Sequence, residues 1–422
     1  MVETMHLMPG VTLRVFADTR FKQGCISVQF LRPMDRAEVA MNALLPAVLL
    51  RGCQDQPNMR AITQKLDDLY GASVDTLIRR IGDYQSVGFY CNFIEDAYAL
   101  PGDKVLEPML DFVGKLLLDP VTEEGVFSAE FVESEKRNLI ITLQTEKNDK
   151  RAYAAAQMMR KMCATDTFGI PRLGEEEQVA AITAKALWEH YRRLLTQSPV
   201  EVFYVGSVEA SVVAEKVRTL FSSLDRNVIT LPAQTAFCDG GNGGEHTEVM
   251  NITQGKLSMG FVTDITNRDP RFAAMQVLNT LFGAGMTSKL FVNVREKMSL
   301  CYHIGSGYYG SKGIMTVSAG IDCDKEQAVK AQVLEQLDAC KRGDITPEEL
   351  GAAKEAVLSA LRGIYDSPGS IEGFFSVRAI GGLTLTVEQY RSAVERISLA
   401  DVIAAAQTVK LHTSYFLKGV EA

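Results

Sequence analysis

Metal and acid–base chemistry would fall first on the five histidines of this 422-residue chain: His6, His190, His246, His303 and His412. A helical zinc site for hydrolysis needs two imidazoles one turn apart, so that both reach the same ion, with a carboxylate beside them as base. Here the closest two histidines are more than fifty residues apart, and the motif occurs in neither direction. Glu189-His190 lies in LWEHYRRLL, whose apolar spacing is that of an amphipathic helix, and the pair reads as surface structure. Cys301 and His303 stand two apart, as a nucleophile and its base could along a strand. Side chains on one side of a strand need not touch, so a buried, inert cysteine is the preferred reading. No GxxxxGK[ST] phosphate loop, no GxSxG elbow and no GxGxxG turn leading from a strand into a helix is present.

The elements that would position such residues come in two matching sets. Gln23–Phe30 (QGCISVQF) alternates polar and apolar residues as a strand does, and Gln254–Phe261 (QGKLSMGF) repeats Gln, Gly, Ser and Phe in register. Each strand is followed by a polar turn and an apolar helix, 39–50 in one half and 272–282 in the other. A second helix follows (59–69; 288–294), then two alternating strands ending in FIED at 93–96 and GIDCD at 320–324, which predicts an antiparallel meander. Apolar positions three and four apart predict amphipathic helices over 133–143 and 349–361. Ile182-Thr183 and Ile397-Ser398 each open a last helix, which leads into PVEVFYVGS or HTSYFLKGV. The stretch 227–245, with LPAQTAF and CDGGNGGE, cannot sustain a helix and reads as a linker. The expected fold is therefore α+β: a domain over 1–226, a linker over 227–245 and a homologous domain over 246–422, each an antiparallel sheet with helices on one face.

Composition narrows the function classes. Apolar residues at 46% and charged residues at 23% suit a globular chain with a large core. A net charge of −8 disfavours nucleic acid as partner, since a polyanion is repelled by an acidic surface. The eight cysteines form no CxxC pair and sit mostly in apolar runs, so they read as reduced and buried. No apolar run approaches the twenty residues a membrane span requires, and MVETMHLMPGVTL carries no positive charge ahead of an apolar stretch. The expectation is a cytoplasmic chain with no membrane association.

From Phe282 to Tyr302 (FGAGMTSKLFVNVREKMSLCY) the chain resembles the insulinase/pitrilysin metallopeptidase family, which includes the processing peptidases. The likeness lies in a Gly-containing turn, a Ser-Lys-Leu-Phe helix, an Arg-Glu-Lys step and a Leu-x-Tyr strand entry, and the duplicated halves extend it over essentially the whole chain. The resemblance implies two such halves closing like a clamshell and a zinc motif His-x-x-Glu-His on the first helix. Matching Arg51-Gly52 to the family's basic-Gly step places Ala43 and Ala47 at the histidine positions and Pro46 at the catalytic base. Matching Arg137-Asn138 places Leu143 near the third ligand, with Glu146 close by. A lone carboxylate cannot hold zinc without the imidazoles, so no metal is expected in this chain.

Arg295 and Tyr302, by contrast, match the family's paired Arg and Tyr, which the resemblance implies hydrogen-bond the substrate backbone and stabilise oxyanion charge. Their alternative is an ordinary ion pair for Arg295 and strand-edge packing for Tyr302. Retained Arg/Tyr with erased ligands resembles the zinc-less half of a split bacterial peptidase. The expectation is a subunit, inactive alone, that pairs with a zinc-bearing homologue, the only holder of zinc, and binds unstructured peptide by strand addition. A non-proteolytic peptide-binding or scaffold homodimer is the alternative from a different class. A metal site built from unrelated residues is the third reading.

Overall fold

Gln23–Pro33 is buried along almost its whole length, polar alternates included. Its register explains why: it lies inside a six-stranded sheet and pairs on both sides. The computed structural model describes residues 2–241, 243–383 and 385–419. The strands of this sheet are β1 (Val2–Met8), β2 (Val11–Ala17), β3 (Gln23–Pro33), β4 (Ser73–Ile81), β5 (Tyr84–Ile94) and β6 (Val200–Gly206), in the order β1-β2-β6-β3-β5-β4. All neighbours are antiparallel except β2 and β6. A second sheet contains β7 (Gly244–Met250), β8 (Gly255–Val262), β9 (His303–Tyr309), β10 (Ile314–Ile321) and β11 (Lys410–Gly419). Its order is β9-β10-β8-β11-β7, with β11 and β7 the one parallel pair.

The two compact units each draw on both halves of the sequence. One comprises Met1–Gln144, Ile170–Ala233 and Ile364–Ile380, the other Thr145–Gly169, Gln234–Gly363 and Gly381–Ala422. The expected α+β architecture holds in both, with strand, helix and meander falling where the repeat predicts. In the first unit the apolar alternates of β3, Ile26, Val28 and Phe30, pack with Leu44, Leu45 and Val48 of helix Val39–Leu49 and with Phe112 and Val113 of helix Leu106–Leu118. Each such buried side chain is worth roughly 1.5–3 kcal/mol.

To this arrangement each unit adds a helix on the other sheet face, taken from the opposite half of the sequence. In the first unit, helix Pro368–Gly381 packs Ile371 and Phe375 against Phe16, Cys25, Phe203 and Val205. Its Glu372 is fully buried, salt-bridged to Arg79 at 2.8 Å, and accepts from Ser27 Oγ at 2.7 Å and Gln29 Nε2 at 3.2 Å. The polar alternates of β3 therefore face a buried carboxylate rather than water. In the second unit, Met158 and Met162 of helix Lys150–Met162 cover β8, where a Cβ on Gly260 would lie 2.7 and 2.5 Å from their sulfurs. Just beyond that helix, Asp166 meets Lys312 at 2.9 Å, both side chains buried. Buried charges persist only when paired, so each pair fixes its crossing segment in place.

Six of the eight cysteines are buried and all are free; Cys238 is exposed and Cys323 half-buried. No described helix is long and apolar enough to cross a membrane.

Candidate functional site

The helix that would carry a zinc motif forms as expected over Val39–Leu49, with Pro46 inside it. Ala43 is 2% exposed and carries no donor atom, Ala47 has only a methyl, and Pro46 offers neither carboxylate nor N–H. Leu143, on helix Ala129–Glu146, packs on the same apolar core as Leu44 and Leu45. Arg51, just past the first helix, pairs with Glu135 at 3.3 Å and stacks over Phe131 at 5.2 Å, so an ion pair and a cation–π contact join the two helices. These residues do not fit a zinc ion, and among the described residues no group of three or more His, Cys, Asp or Glu is placed to hold a metal.

His190 lies behind this helix, not on the surface as its sequence context suggests. It is fully buried; its Nε2 donates to Asn42 Oδ1 at 2.6 Å while Arg193 donates to its Nδ1 at 3.3 Å. Burial pushes its pKa down to about 4, so it is neutral. Asn42 in turn donates to Gln85 Oε1 at 2.9 Å, and Gln85 donates to the Val39 and Arg172 carbonyls. The Glu-His step is thus half of a polar clamp on the helix. His190 falls one turn from Leu187 and Leu194 on the buried stripe, and that spacing was the available signal.

Arg295 and Tyr302 come together in the second unit, lining one open depression of about 400 Å³ with Glu296, Ser299, Leu300, Cys301, Asp322 and Lys325. Arg295 belongs to a π-helical segment, Leu290–Lys297, a wide-turned geometry often found at functional sites. Its guanidinium lies 4.7 Å from the Phe291 ring centroid and 3.5 Å from Glu296. The segment stops at Ser299, which adopts left-handed backbone (φ 49°) and donates its N–H to the Arg295 carbonyl at 3.1 Å. Three residues on, Tyr302 N–H bonds the Gly320 carbonyl at 2.8 Å and β9 begins. Tyr302 is 59% exposed, and its hydroxyl donates to Asp322 Oδ1 at 2.9 Å. Lys325 pairs with Asp322 at 2.8 Å. Lys325 first and Tyr302 second hold the Asp322 carboxyl below its ordinary range, and Asp322 raises the phenol. Asp322 and Lys325 escaped the sequence reading because GIDCDK reads only as the end of a strand.

Cys301 and His303 are not a nucleophile and base. Burial pushes the Cys301 thiol up to about 11, and the buried Nε2 of His303 has no hydrogen-bond partner. Burial, then Arg151, Lys256 and Arg295, push His303 down to about 4.

With this geometry established, comparison with known proteins is specific. Residues 181–357, a span that includes Arg295 and Tyr302, match the family model described as peptidase M16 inactive domain. The "Probable inactive metalloprotease YmfF" of Bacillus subtilis is 29% identical over 412 residues, covering 98% of this chain and 96% of the relative. A crystal structure of a conserved protein from Enterococcus faecalis superposes with a TM-score of 0.89 at 26% identity, over 99% of each chain. A peptidase M16 inactive domain from Pseudomonas fluorescens shares the fold, with a TM-score of 0.82 at 16% identity over 100% of this chain and 98% of that one. A relative matched over nearly the whole chain, a full-length structural match and the family model over 181–357 agree: the chain is a homologue of insulinase/pitrilysin (M16) metallopeptidases and is similar to members described as inactive.

Proposed function

We propose that this chain is the zinc-less subunit of a two-chain peptidase, inactive alone, which binds an unstructured peptide and presents Arg295 and Tyr302 to its backbone beside a zinc-bearing homologue. The observation that carries this reading is asymmetry of retention. The zinc helix has lost every ligand, whereas Arg295 and Tyr302 line one open depression with their side chains accessible.

The chemistry suits the role. A guanidinium and a phenol donate hydrogen bonds without metal or proton exchange, and donors aimed at a developing oxyanion supply about 3–4 kcal/mol each in acyl-transfer enzymes. The one hydroxyl proton of Tyr302 goes to Asp322 here, and in this role it would turn from Asp322 to the substrate oxygen when peptide arrives. The zinc and its water would belong to the partner; this chain's part is to hold the peptide and stabilise charge.

Mixing the chain with a zinc-bearing homologue from the same genome and following cleavage of an unstructured peptide tests this. Arg295→Ala and Tyr302→Phe should each slow cleavage by about 10²-fold with the complex intact. Unchanged rates would remove the proposal.

A further inference from the structure

Sheet register places His303, Gly320 and Lys256 in one row across β9, β10 and β8. Directly opposed residues of antiparallel strands point to the same face. The next residues in each strand, Ile304, Ala319 and Leu257, are buried on the core side, so the row belongs to the opposite face. On that face β9 presents His303, Gly305, Gly307 and Tyr309, and β10 presents Gly320, Ser318 and Thr316. Glycines and small hydroxyls leave the backbone nearly bare. Helix Lys150–Met162 covers β8 and β11 on this side, leaving β9 at the sheet edge as a shelf.

One end of the shelf is basic. His303 lies over Gly320, where a Cβ would meet its ring atoms at 2.6 Å and Gln254 Oε1 at 2.9 Å. Arg151, Lys256 and Arg295 all bear electrostatically on His303, while Asp149 acts on Lys256. Arg151 is exposed and forms no ion pair among the described residues; Lys256 donates to neutral Gln254; Arg295 pairs with Glu296 at 3.5 Å. Asp149, the nearby carboxylate, caps its own helix by accepting from the Arg151 and Ala152 N–H groups. The buried His303 Nε2 remains unpartnered. Two cations, Lys256 and Arg151, beside a neutral imidazole on a bare shelf complement an extended chain with a carboxylate at one end.

We propose that this row is a carboxylate subsite: peptide lies along the shelf and Lys256, Arg151 and His303 receive its C-terminal carboxylate or an acidic side chain. The inference rests on the peptide-binding reading above but needs neither partner nor cleavage.

Fluorescein-labelled nonapeptides of one neutral sequence provide the test, titrated by anisotropy into the purified full chain. The set is a C-terminal acid, the corresponding amide, and an amide with one interior Asp. The acid should bind about tenfold tighter than the neutral amide, the worth of one charge-assisted hydrogen bond. The interior-Asp peptide distinguishes a terminal from a side-chain carboxylate. Raising salt from 50 mM to 500 mM should narrow the preference. Lys256→Gln and Arg151→Gln, each with unchanged Tm, should abolish it. Equal binding of acid and amides, no peptide binding, or displacement by millimolar inorganic phosphate equally from wild type and Lys256→Gln would overturn the assignment. Failure of the cleavage experiment with peptide binding intact would instead refute the two-chain reading alone.

Discussion

The Tyr302 hydroxyl donates to Asp322 Oδ1 at 2.9 Å, and Asp322 is held from its other side by Lys325 at 2.8 Å. A solvent-accessible phenol of the candidate site is therefore aimed by a carboxylate twenty residues away in sequence. Asp322→Asn should lower the Tyr302 pKa toward its ordinary value, because the acceptor that favours the protonated phenol has lost its charge. Titration of the tyrosine Cζ resonance by NMR reads this directly. A phenol that titrates identically in wild type and variant would mean the contact has no hold on it.

The turn that delivers Tyr302 depends on Ser299 in left-handed backbone. Glycine adopts that conformation without penalty, so Ser299→Gly should stabilise the chain by about 0.5–1 kcal/mol. Its Tm should rise by a degree or more. A fall would indicate that the Ser299 side chain contributes more than its backbone strain costs.

His190 makes stability depend on acid. Its folded pKa of about 4 lies below the ordinary imidazole value of 6.5, so the unfolded chain binds more protons between those values. Stability from this group is intact above about pH 6.5 and is lost as pH falls toward 4. The linkage gives a loss of about 2 kcal/mol between pH 7 and pH 5. Urea unfolding at the two pH values should show a drop that is smaller by this amount in His190→Gln. An identical drop in both would assign acid sensitivity elsewhere.

Much of the architecture was visible before the structure because a duplicated pattern of strand, helix and meander constrains both copies at once. Ala43, Pro46 and Ala47 are named from the resemblance, by matching Arg51-Gly52 to the family's basic-Gly step, and the helix on which they stand forms over Val39–Leu49. The two crossing helices were not legible in this way. An amphipathic pattern states that a helix has an apolar face, not which sheet that face covers. Ser27 and Gln29 looked like the wet side of a strand, and only the fold brings Glu372 from 345 and 343 residues away to meet them. Lys312 and Asp166 are likewise 146 residues apart. Long-range pairing of this kind leaves no local periodicity to read.

The Glu372 network carries its own prediction. Removing one partner of a buried pair strands the other, a loss of about 3 kcal/mol or more. Glu372→Ala and Arg79→Ala should each release amide protection in helix Pro368–Gly381, and the double variant should lose less than the sum of the two. Hydrogen exchange followed by mass spectrometry resolves this segment. Additive losses would show that the two side chains act independently.

The proposed division of labour between chains is tested most directly by one three-way measurement: peptide cleavage and bound zinc for this chain alone, for a zinc-bearing homologue alone, and for their mixture. The account predicts no cleavage and no stoichiometric zinc in this chain, cleavage chiefly in the mixture, and one zinc per mixed pair residing in the homologue. Zinc-dependent cleavage by this chain alone, or a mixture no faster than the homologue by itself, would contradict it.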